Sequence, residues 1–463
     1  MVQEGGAKGH RSKAAPSERE FFQTVYGEGS RYKIKEVIGK GSYGLVCSAL
    51  DTYTGEMVAI KRINNVFDNA ADALRILREL RFLRLLKHPD IVEIRHIILP
   101  PSPTEFDDVF IVFELLETDL HLVIRANDDL TGEHFRFFAY QLLRGLRFIH
   151  RAGVYHRDLK PKNILANADC KIKICDFGLA RFANNPSGSN EQLHFWTDYI
   201  ATRWYRAPEL CGSFFARYTP AIDVWGVGCI FAELLSGKPL FPGKNAVHQL
   251  NLITDLLGSP TPEVLARVKN EKARKYLQGL PQKQPQSLAH RFPKADAEAL
   301  RILGRMLTFD PDARPSCEEL LADPYFDSLR GHDAAAAAAE AEDSLPRGGL
   351  SRMDWTFEAK ALKVEQLREL MYDEIALYHP DLPPRGNGSC FNFPSAIDAF
   401  KRQFAFLEMG GSSSGNGGGK VLLNKSQSLP KEAATSMLDD GVLDVAKHLQ
   451  PAIEPIAEEP PRG

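Results

Sequence analysis

The sequence predicts an α+β protein of two lobes, a small sheet-rich one followed by a larger, mostly helical one. Three observations carry this expectation. The 463 residues exceed what one compact core holds and suit two lobes with tails. From Tyr32 to Ile63 the segments are β-rich and broken by glycine turns. After that, apolar residues recur mainly at helical spacing as far as about Phe326.

The elements follow in order. Residues 1 to about 20 are polar and rich in Gly, Ala, Ser and Lys, a composition that predicts disorder. After the early sheet, Asp72 to Leu86 carries Leu74, Leu77 and Leu80 in a helical rhythm that stops at His88-Pro89. A second strong helix is predicted from Glu133 to about His150. Its Phe135, Phe138, Leu142, Leu146 and Ile149 form one stripe, and Gly153 follows as a stop. His332 to Arg347, with its alanine run Ala334 to Ala339, reads as a linker or an exposed helix. Val364 to Tyr378 is helical again, with Leu367, Leu370, Met371 and Ile375 as its apolar face. Gly410 to Gly419 is nearly all Gly and Ser, a flexible linker. Only a weak amphipathic stretch, Met437 to Leu449, follows, and no repeat of fixed period is present.

Composition bounds the function. Hydrophobic residues make up 44% and charged residues 25%, ordinary for a soluble protein, and a net charge of -3 gives no global pull toward nucleic acid or anionic membrane. The cysteines (Cys47, Cys170, Cys175, Cys211, Cys229, Cys317 and Cys390) are scattered without the spacing of a zinc site, which predicts reduced, mostly buried thiols. No apolar run approaches the ~20 residues that span a bilayer. Met1-Val2-Gln3-Glu4 lacks a secretory apolar region, and Val2 stands where myristoylation needs glycine. The expectation is a soluble intracellular protein with no nucleic-acid partner and no membrane insertion, in the cytoplasm, with the nucleus left open.

Four segments carry chemistry, and their order is the argument. Gly39-Lys40-Gly41-Ser42-Tyr43-Gly44-Leu45-Val46 lies in the early sheet, where glycines let backbone close over phosphates. No helix opens directly after it, so a dinucleotide-binding turn fails on context. Val58-Ala59-Ile60-Lys61 places a lysine on a strand, where its ammonium can meet α- and β-phosphates if an acid such as Glu79 holds it. His156-Arg157-Asp158-Leu159-Lys160-Pro161-Lys162-Asn163 follows the long helix. There Asp158 would accept a proton from an attacking hydroxyl, Lys160 would steady the γ-phosphoryl and Asn163 would hold magnesium. Asp176-Phe177-Gly178 would supply a carboxylate to Mg²⁺, a hard cation that takes oxygen ligands and keeps several waters. Each string alone is commonplace as a turn or a surface pair. Together, in this order and on these element types, they are specific.

This set resembles the eukaryotic protein kinase family over about residues 32 to 326. The resemblance implies ATP and Mg²⁺ as cofactors, a small antiparallel sheet with one main helix as N-lobe (about 32–116), and a larger helical C-lobe (about 117–326). It also implies that Ile38 helps bind ATP, that Val46, Ala59 and Leu165 enclose adenine, that Phe113 is the gatekeeper, and that Glu114 to Leu116 is the hinge that hydrogen-bonds the base. Ala207-Pro208-Glu209 would close the activation segment, with Glu209 paired to Arg314, and Asp223 of Asp223-Val224-Trp225 would anchor the catalytic loop.

Thr197-Asp198-Tyr199 narrows the likeness to mitogen-activated protein kinases, and Asp198, Phe195-Trp196 and Cys211-Gly212-Ser213-Phe214-Phe215 resemble the plant Thr-Asp-Tyr subclass. A phosphate brings about -1.5 to -2 charges and needs cationic forks. By resemblance Arg78, Arg157 and Arg181 would receive phospho-Thr197, and Arg203 and Arg206 would receive phospho-Tyr199. Tyr205 and its neighbours would shape an apolar pocket for proline after the target residue, hence Ser/Thr-Pro substrates. An upstream dual-specificity kinase kinase and phosphatases are the implied partners. The helix at Val364 to Tyr378 would return to the small lobe within a 327–380 segment, flanked by a flexible 1–31 and a largely disordered 381–463.

The chain departs from that pattern in places. Leu382-Pro383-Pro384 replaces the usual acidic docking cluster, leaving Asp373, Glu374 and Asp381 as negative charge nearby. Asn184 to Glu191 is a polar loop without derivable function, and Gly226 stands where relatives usually carry serine. Two other readings stay open at this stage. A pseudokinase scaffold would lack Lys61, Asp158, Asn163 or Asp176, and all are present. A cyclin-dependent-kinase-like enzyme would carry a cyclin-binding sequence on the Asp72 to Leu86 helix and a single activating threonine.

Overall fold

The computed structural model describes residues 31–41, 44–100, 102–126, 130–182, 203–211, 219–268, 270–330, 355, 357 and 362–381. Among them the chain forms two compact units. The first takes its described residues from the segments up to Asn65, from His96–Leu115 and from Ile375 onward; the second from Val66–Arg95 and Leu116–Glu374.

The first unit is built on a sheet. Strands β1 (Tyr32–Gly41), β2 (Gly44–Asp51), β3 (Met57–Ile63), β4 (Ile94–Ile97) and β5 (Val109–Glu114) lie in the order β1-β2-β3-β5-β4. The β1–β2, β2–β3 and β3–β5 pairings are antiparallel. Alternation sends Tyr32, Ile34, Leu45, Cys47, Val58, Ile60, Phe110 and Val112 into one core. The β1–β2 hairpin turns on Gly44, whose φ of +140° suits glycine. A Cβ there would lie 2.0 Å from the Arg62 carbonyl oxygen, so no other residue fits. Arg31 clamps Asp51 across the same hairpin at 2.8 Å.

The second unit is helical. The helix predicted at Asp72 to Leu86 runs Ala70–Leu85, started by the Asn69 side chain accepting from the Ala71 amide. The helix predicted at Glu133 to His150 runs Gly132–Arg151 behind a Thr131–His134 capping box. It packs on Ala221–Ser236, a helix buried on nearly every side, as its apolar composition requires. Arg144 holds Asp90 with two bonds of 2.6 and 2.7 Å, tying the long helix to the turn after Ala70–Leu85. Six cysteines fall among the described residues, all free; Cys47, Cys229 and Cys317 are buried and Cys170, Cys175 and Cys211 half-buried.

The C-terminal helix spans Val364–Ala376, with Leu367, Met371 and Ile375 fully buried. It lies against the Ala70–Leu85 helix. Glu374 accepts from Arg81 at 3.1 Å and from Arg84 at 2.5 Å, and Arg368 lies over the Phe67 ring. Ahead of it, Trp355 stacks on Phe82 at 4.6 Å and lies parallel to Phe182 at 6.2 Å. Beyond it, the His379 ring meets the Ile97 carbonyl oxygen at 2.7 Å. Glu374 is therefore buried inside the fold. It does not join Asp373 and Asp381 as exposed negative charge, because two guanidiniums consume it. No helix among the described residues is long and apolar enough to cross a membrane.

Candidate active site

The His156–Asn163 loop is held from beneath by one buried carboxylate. Asp223, in the first turn of Ala221–Ser236, accepts the backbone N–H groups of His156 and Arg157, both at 2.8 Å. Its Oδ2 also lies 2.9 Å from His150 Nε2. Arg157 needs this anchor, because its φ of +70° costs a residue with a Cβ about 1–2 kcal/mol. Burial works against a charged His150, but Cys317, 3.6 Å from its Nδ1, and Asp223 outweigh it and push the imidazole up to about 10. Burial likewise opposes the Asp223 charge, and the His150 bond overcomes it and holds the carboxyl below its ordinary value. The His156 ring completes the support, with Nε2 3.0 Å from the Cys175 carbonyl oxygen and its edge toward Phe177.

Three predicted catalytic residues meet on this platform. Asp158 Oδ2 accepts from Lys160 Nζ at 2.6 Å and from Asn163 Nδ2 at 3.0 Å. Asn163 Nδ2 also donates to the Asp158 carbonyl at 2.9 Å, which commits the amide nitrogen and leaves its oxygen as the atom suited to a cation. Asp158 is nearly enclosed, its side chain 4% exposed, so its carboxylate is oriented before any substrate arrives.

Asp176 is itself left-handed, φ 64° and ψ 70°, and opens the Phe177–Leu179 turn. Its carboxylate is 32% exposed and lies 4.0 Å from Arg75. Arg78, one turn along the same helix, donates to the Gly178 carbonyl at 2.8 Å. Among the described residues no three His, Cys, Asp or Glu side chains gather as a metal cluster. A magnesium ion carried on phosphates needs only one carboxylate and one amide oxygen, and Asp176 and Asn163 supply that chemistry.

Three of the predicted phosphate-binding arginines, Arg78, Arg181 and Arg203, donate to backbone oxygens here. Arg181 donates to the Ala180 carbonyl at 2.9 Å and Arg203 to that of Lys244 at 3.2 Å. Arg78 and Arg157 are buried, and Arg206 is half-buried beside the cleft that Arg157, Tyr205 and Ile222 line. Thr197 and Tyr199 themselves lie outside the described residues, as does the Asn184 to Glu191 loop.

The segment resumes at Arg203. Glu209 and Arg314 form the expected pair at 2.9 and 3.2 Å, and Arg314 also donates to the Ala221 and Thr308 carbonyls over the Trp225 ring. Tyr205 donates to Glu233 at 2.6 Å, and burial together with that carboxylate raises the phenol pKa. Trp204 donates to the Gly243 carbonyl while its ring stays 37% exposed. Gly226 faces the catalytic loop: a Cβ there would meet Leu159 Cβ at 3.0 Å, so a serine at this position would need Leu159 to give way slightly.

The predicted nucleotide residues divide between the two units. In the first, Gly39 pairs with Val46, Gly41 with Gly44, Val46 with Lys61, Ala59 with Phe113 and Val58 with Glu114 across the sheet. Ile38 is 43% exposed and Lys40 is exposed; Ser42 and Tyr43 lie outside the described residues. In the second, Glu79 is buried on Ala70–Leu85, Leu116 is buried, and Leu165 is half-buried opposite Asp119. Four residues that the sequence did not single out now have places: Arg75 beside Asp176, His150 beside Asp223, Glu233 beneath Tyr205, and Gln249, which donates to the Trp204 carbonyl. Only Glu233 carried a signal, an acid inside the apolar run Ala221–Ser236.

A family model described as "Protein kinase domain" matches residues 32–326. A rice protein named mitogen-activated protein kinase 14 is 61% identical over 393 residues, 84% of this chain and 70% of its own length. Rice mitogen-activated protein kinase 15 is 60% identical over 393 residues, 84% of this chain and 76% of its own. Mitogen-activated protein kinase 9 of Arabidopsis thaliana is 58% identical over 420 residues, 90% and 79%. With its catalytic segments in order and its loop anchored as described, the chain belongs to the protein kinase family and, within it, to the mitogen-activated serine/threonine kinases.

Proposed function

We propose that the protein transfers the γ-phosphoryl of ATP to serine or threonine hydroxyls followed by proline, and that phosphorylation of Thr197 and Tyr199 by an upstream dual-specificity kinase switches it on. The observation that carries the reading is the Asp158–Lys160–Asn163 constellation fixed by Asp223. Asp158 takes the proton of the incoming hydroxyl. Lys160, already on Asp158, turns its ammonium to the charge that develops on the phosphoryl oxygens. Asp176 and Asn163 would hold magnesium, which neutralises phosphate charge when bound.

The glycine hairpin and Lys61 serve the phosphates, Ile38 the nucleotide, and Val46, Ala59 and Leu165 the adenine, whose edge the backbone of Glu114 to Leu116 hydrogen-bonds. Phospho-Thr197 would draw Arg78, Arg157 and Arg181, and phospho-Tyr199 would draw Arg203 and Arg206; for Arg78, Arg181 and Arg203 the doubly charged acceptor is a stronger partner than the neutral carbonyl each now holds. Proline after the target fits an apolar pocket beside Tyr205 because it brings no amide hydrogen to satisfy. Phosphatases would reverse the switch.

Asp158→Asn keeps shape and removes the base. After treatment with an upstream kinase, kcat on myelin basic protein should fall by about 10³ with KM for ATP little changed. A variant as active as the parent would remove Asp158 from this role. A peptide array should select proline after the phosphosite, and Thr197→Ala with Tyr199→Phe should keep basal turnover and block activation.

A further inference from the structure

Cys317 takes no part in the proposed transfer, yet it touches the residue that steadies the anchor of the catalytic loop. Its sulfur lies 3.6 Å from His150 Nδ1, and across the ring Nε2 lies 2.9 Å from Asp223 Oδ2. Asp223 in turn accepts the His156 and Arg157 amides at 2.8 Å, directly ahead of Asp158. A line of contacts thus runs from a thiol to the loop. The fold holds both ends of its first contact. Cys317 opens the Cys317–Leu321 helix behind a capping box in which Ser316 and Glu319 exchange bonds of 2.7 and 3.2 Å. His150 sits in the last turn of Gly132–Arg151, on which the Cys317–Leu321 helix packs. Cys317 is 2% exposed and the His150 side chain 11%, so the contact is made inside the fold.

We propose that Cys317 is a positioning residue for phosphoryl transfer: its thiol selects the His150 tautomer whose Nε2–H donates to Asp223, and through Asp223 it fixes the loop that carries Asp158. The proposal rests on Asp158 being the base named above. The two nitrogens of an imidazole are not independent, because the bond made by one sets the proton on the other. When the ring is neutral, a thiol hydrogen donated to Nδ1 leaves the ring proton on Nε2, facing the carboxylate. When the ring is charged, both nitrogens carry protons and the sulfur accepts from Nδ1. Either way a hydrogen lies between Nε2 and Asp223. The opposite tautomer would turn the Nε2 lone pair toward a buried carboxylate and deprive it of that donor. Asp223 would then hold the Arg157 backbone, at φ +70°, less firmly. A hydrogen bond of this kind is worth about fivefold in an equilibrium.

The test pairs amide exchange with kinetics on the full-length chain after treatment with an upstream kinase. Hydrogen exchange in peptides covering His156 and Arg157, read by mass spectrometry, should quicken about fivefold in Cys317→Ala. On myelin basic protein kcat should fall by a similar factor, with KM for ATP unchanged. Cys317→Ser, whose hydroxyl both donates and accepts, should return both values to within about twofold of the parent. Parental exchange at those amides in Cys317→Ala overturns the proposal, as does quickened exchange with parental kcat. A fall in kcat that Cys317→Ser does not rescue also overturns it and assigns Cys317 to packing alone. Asp158→Asn is the control: parental turnover there removes the base assignment, while the exchange result still judges the hold of the sulfur on the loop. Should Cys317→Ala not fold, Cys317→Val fills the volume without the sulfur and makes the same comparison.

Discussion

Two arginine–carboxylate pairs in the helical unit look alike on paper and behave differently. Arg314 and Glu209 are 0% and 4% exposed, joined by two bonds, and Arg314 spends further donors on the Thr308 and Ala221 carbonyls. Arg75 and Asp176 are separated by 4.0 Å and partly open to solvent. The first pair replaces water on every side, so neither partner can leave without stranding the other in a low-dielectric interior. The second leaves its carboxylate partly open to solvent. The difference teaches which charges are locked into the scaffold and which stay within reach of water, a distinction that sequence alone would blur.

The contrast can be broken from its rigid end. Arg314→Leu should destabilise the protein by about 3–5 kcal/mol in urea denaturation, because Glu209 would remain buried without its partner. Adding Glu209→Leu should restore much of that loss, since two apolar residues strand no charge. If the double variant is no more stable than the single one, the pair's geometry and not its charge is what matters.

Glu374 tests an intermediate case. It is buried, but Arg81 and Arg84 are 13% and 22% exposed. Glu374→Gln should cost about 2 kcal/mol by the same assay, less than Arg314→Leu, because water can reach the freed guanidiniums. Equal costs would show that partner exposure does not set the scale.

At neutral pH His88 supplies the smallest effect, and its effect grows through an acid window. Burial, with Arg144, Arg147 and Lys173 adding to it, pushes its pKa down to about 3. The unfolded chain titrates near 6.5 and binds the proton that the folded chain refuses. Stability present above about pH 6.5 is therefore lost as pH falls toward 3, with a limiting slope of about 1.4 kcal/mol per pH unit. Denaturation midpoints at several pH values should show a shallower acid slope for His88→Gln. An unaltered slope would assign the acid loss to other groups.

Much of the fold was legible because it rests on local rules. The helices predicted at Asp72 to Leu86, Glu133 to His150 and Val364 to Tyr378 appear at Ala70–Leu85, Gly132–Arg151 and Val364–Ala376, and the ends shifted where Asn69 and Thr131 supply caps. The Asp158–Lys160–Asn163 cluster was legible too, since it lies within one loop. The pairing of Glu209 with Arg314, 105 residues apart, came from family likeness and not from spacing. His150 with Asp223 and Arg75 with Asp176 were not foreseen, because His150 and Arg75 each look like an ordinary polar residue of their own helix, although Asp223 and Asp176 stood out. The small lobe expected at about 32–116 also groups differently by contacts. Val66–Arg95 falls with the helical unit, where Ala70–Leu85 meets the Phe177–Leu179 turn.

The family match ends at residue 326, but the folded body does not. Trp355 covers Phe82, and Leu367, Met371 and Ile375 are fully enclosed. A transcript or protease product that stops near 326 would keep the whole family-matched region and still present a bare apolar face on the Ala70–Leu85 helix. Such a fragment should aggregate or be cleared by quality control. The shortest workable expression length therefore runs past His379, which reaches the Ile97 carbonyl.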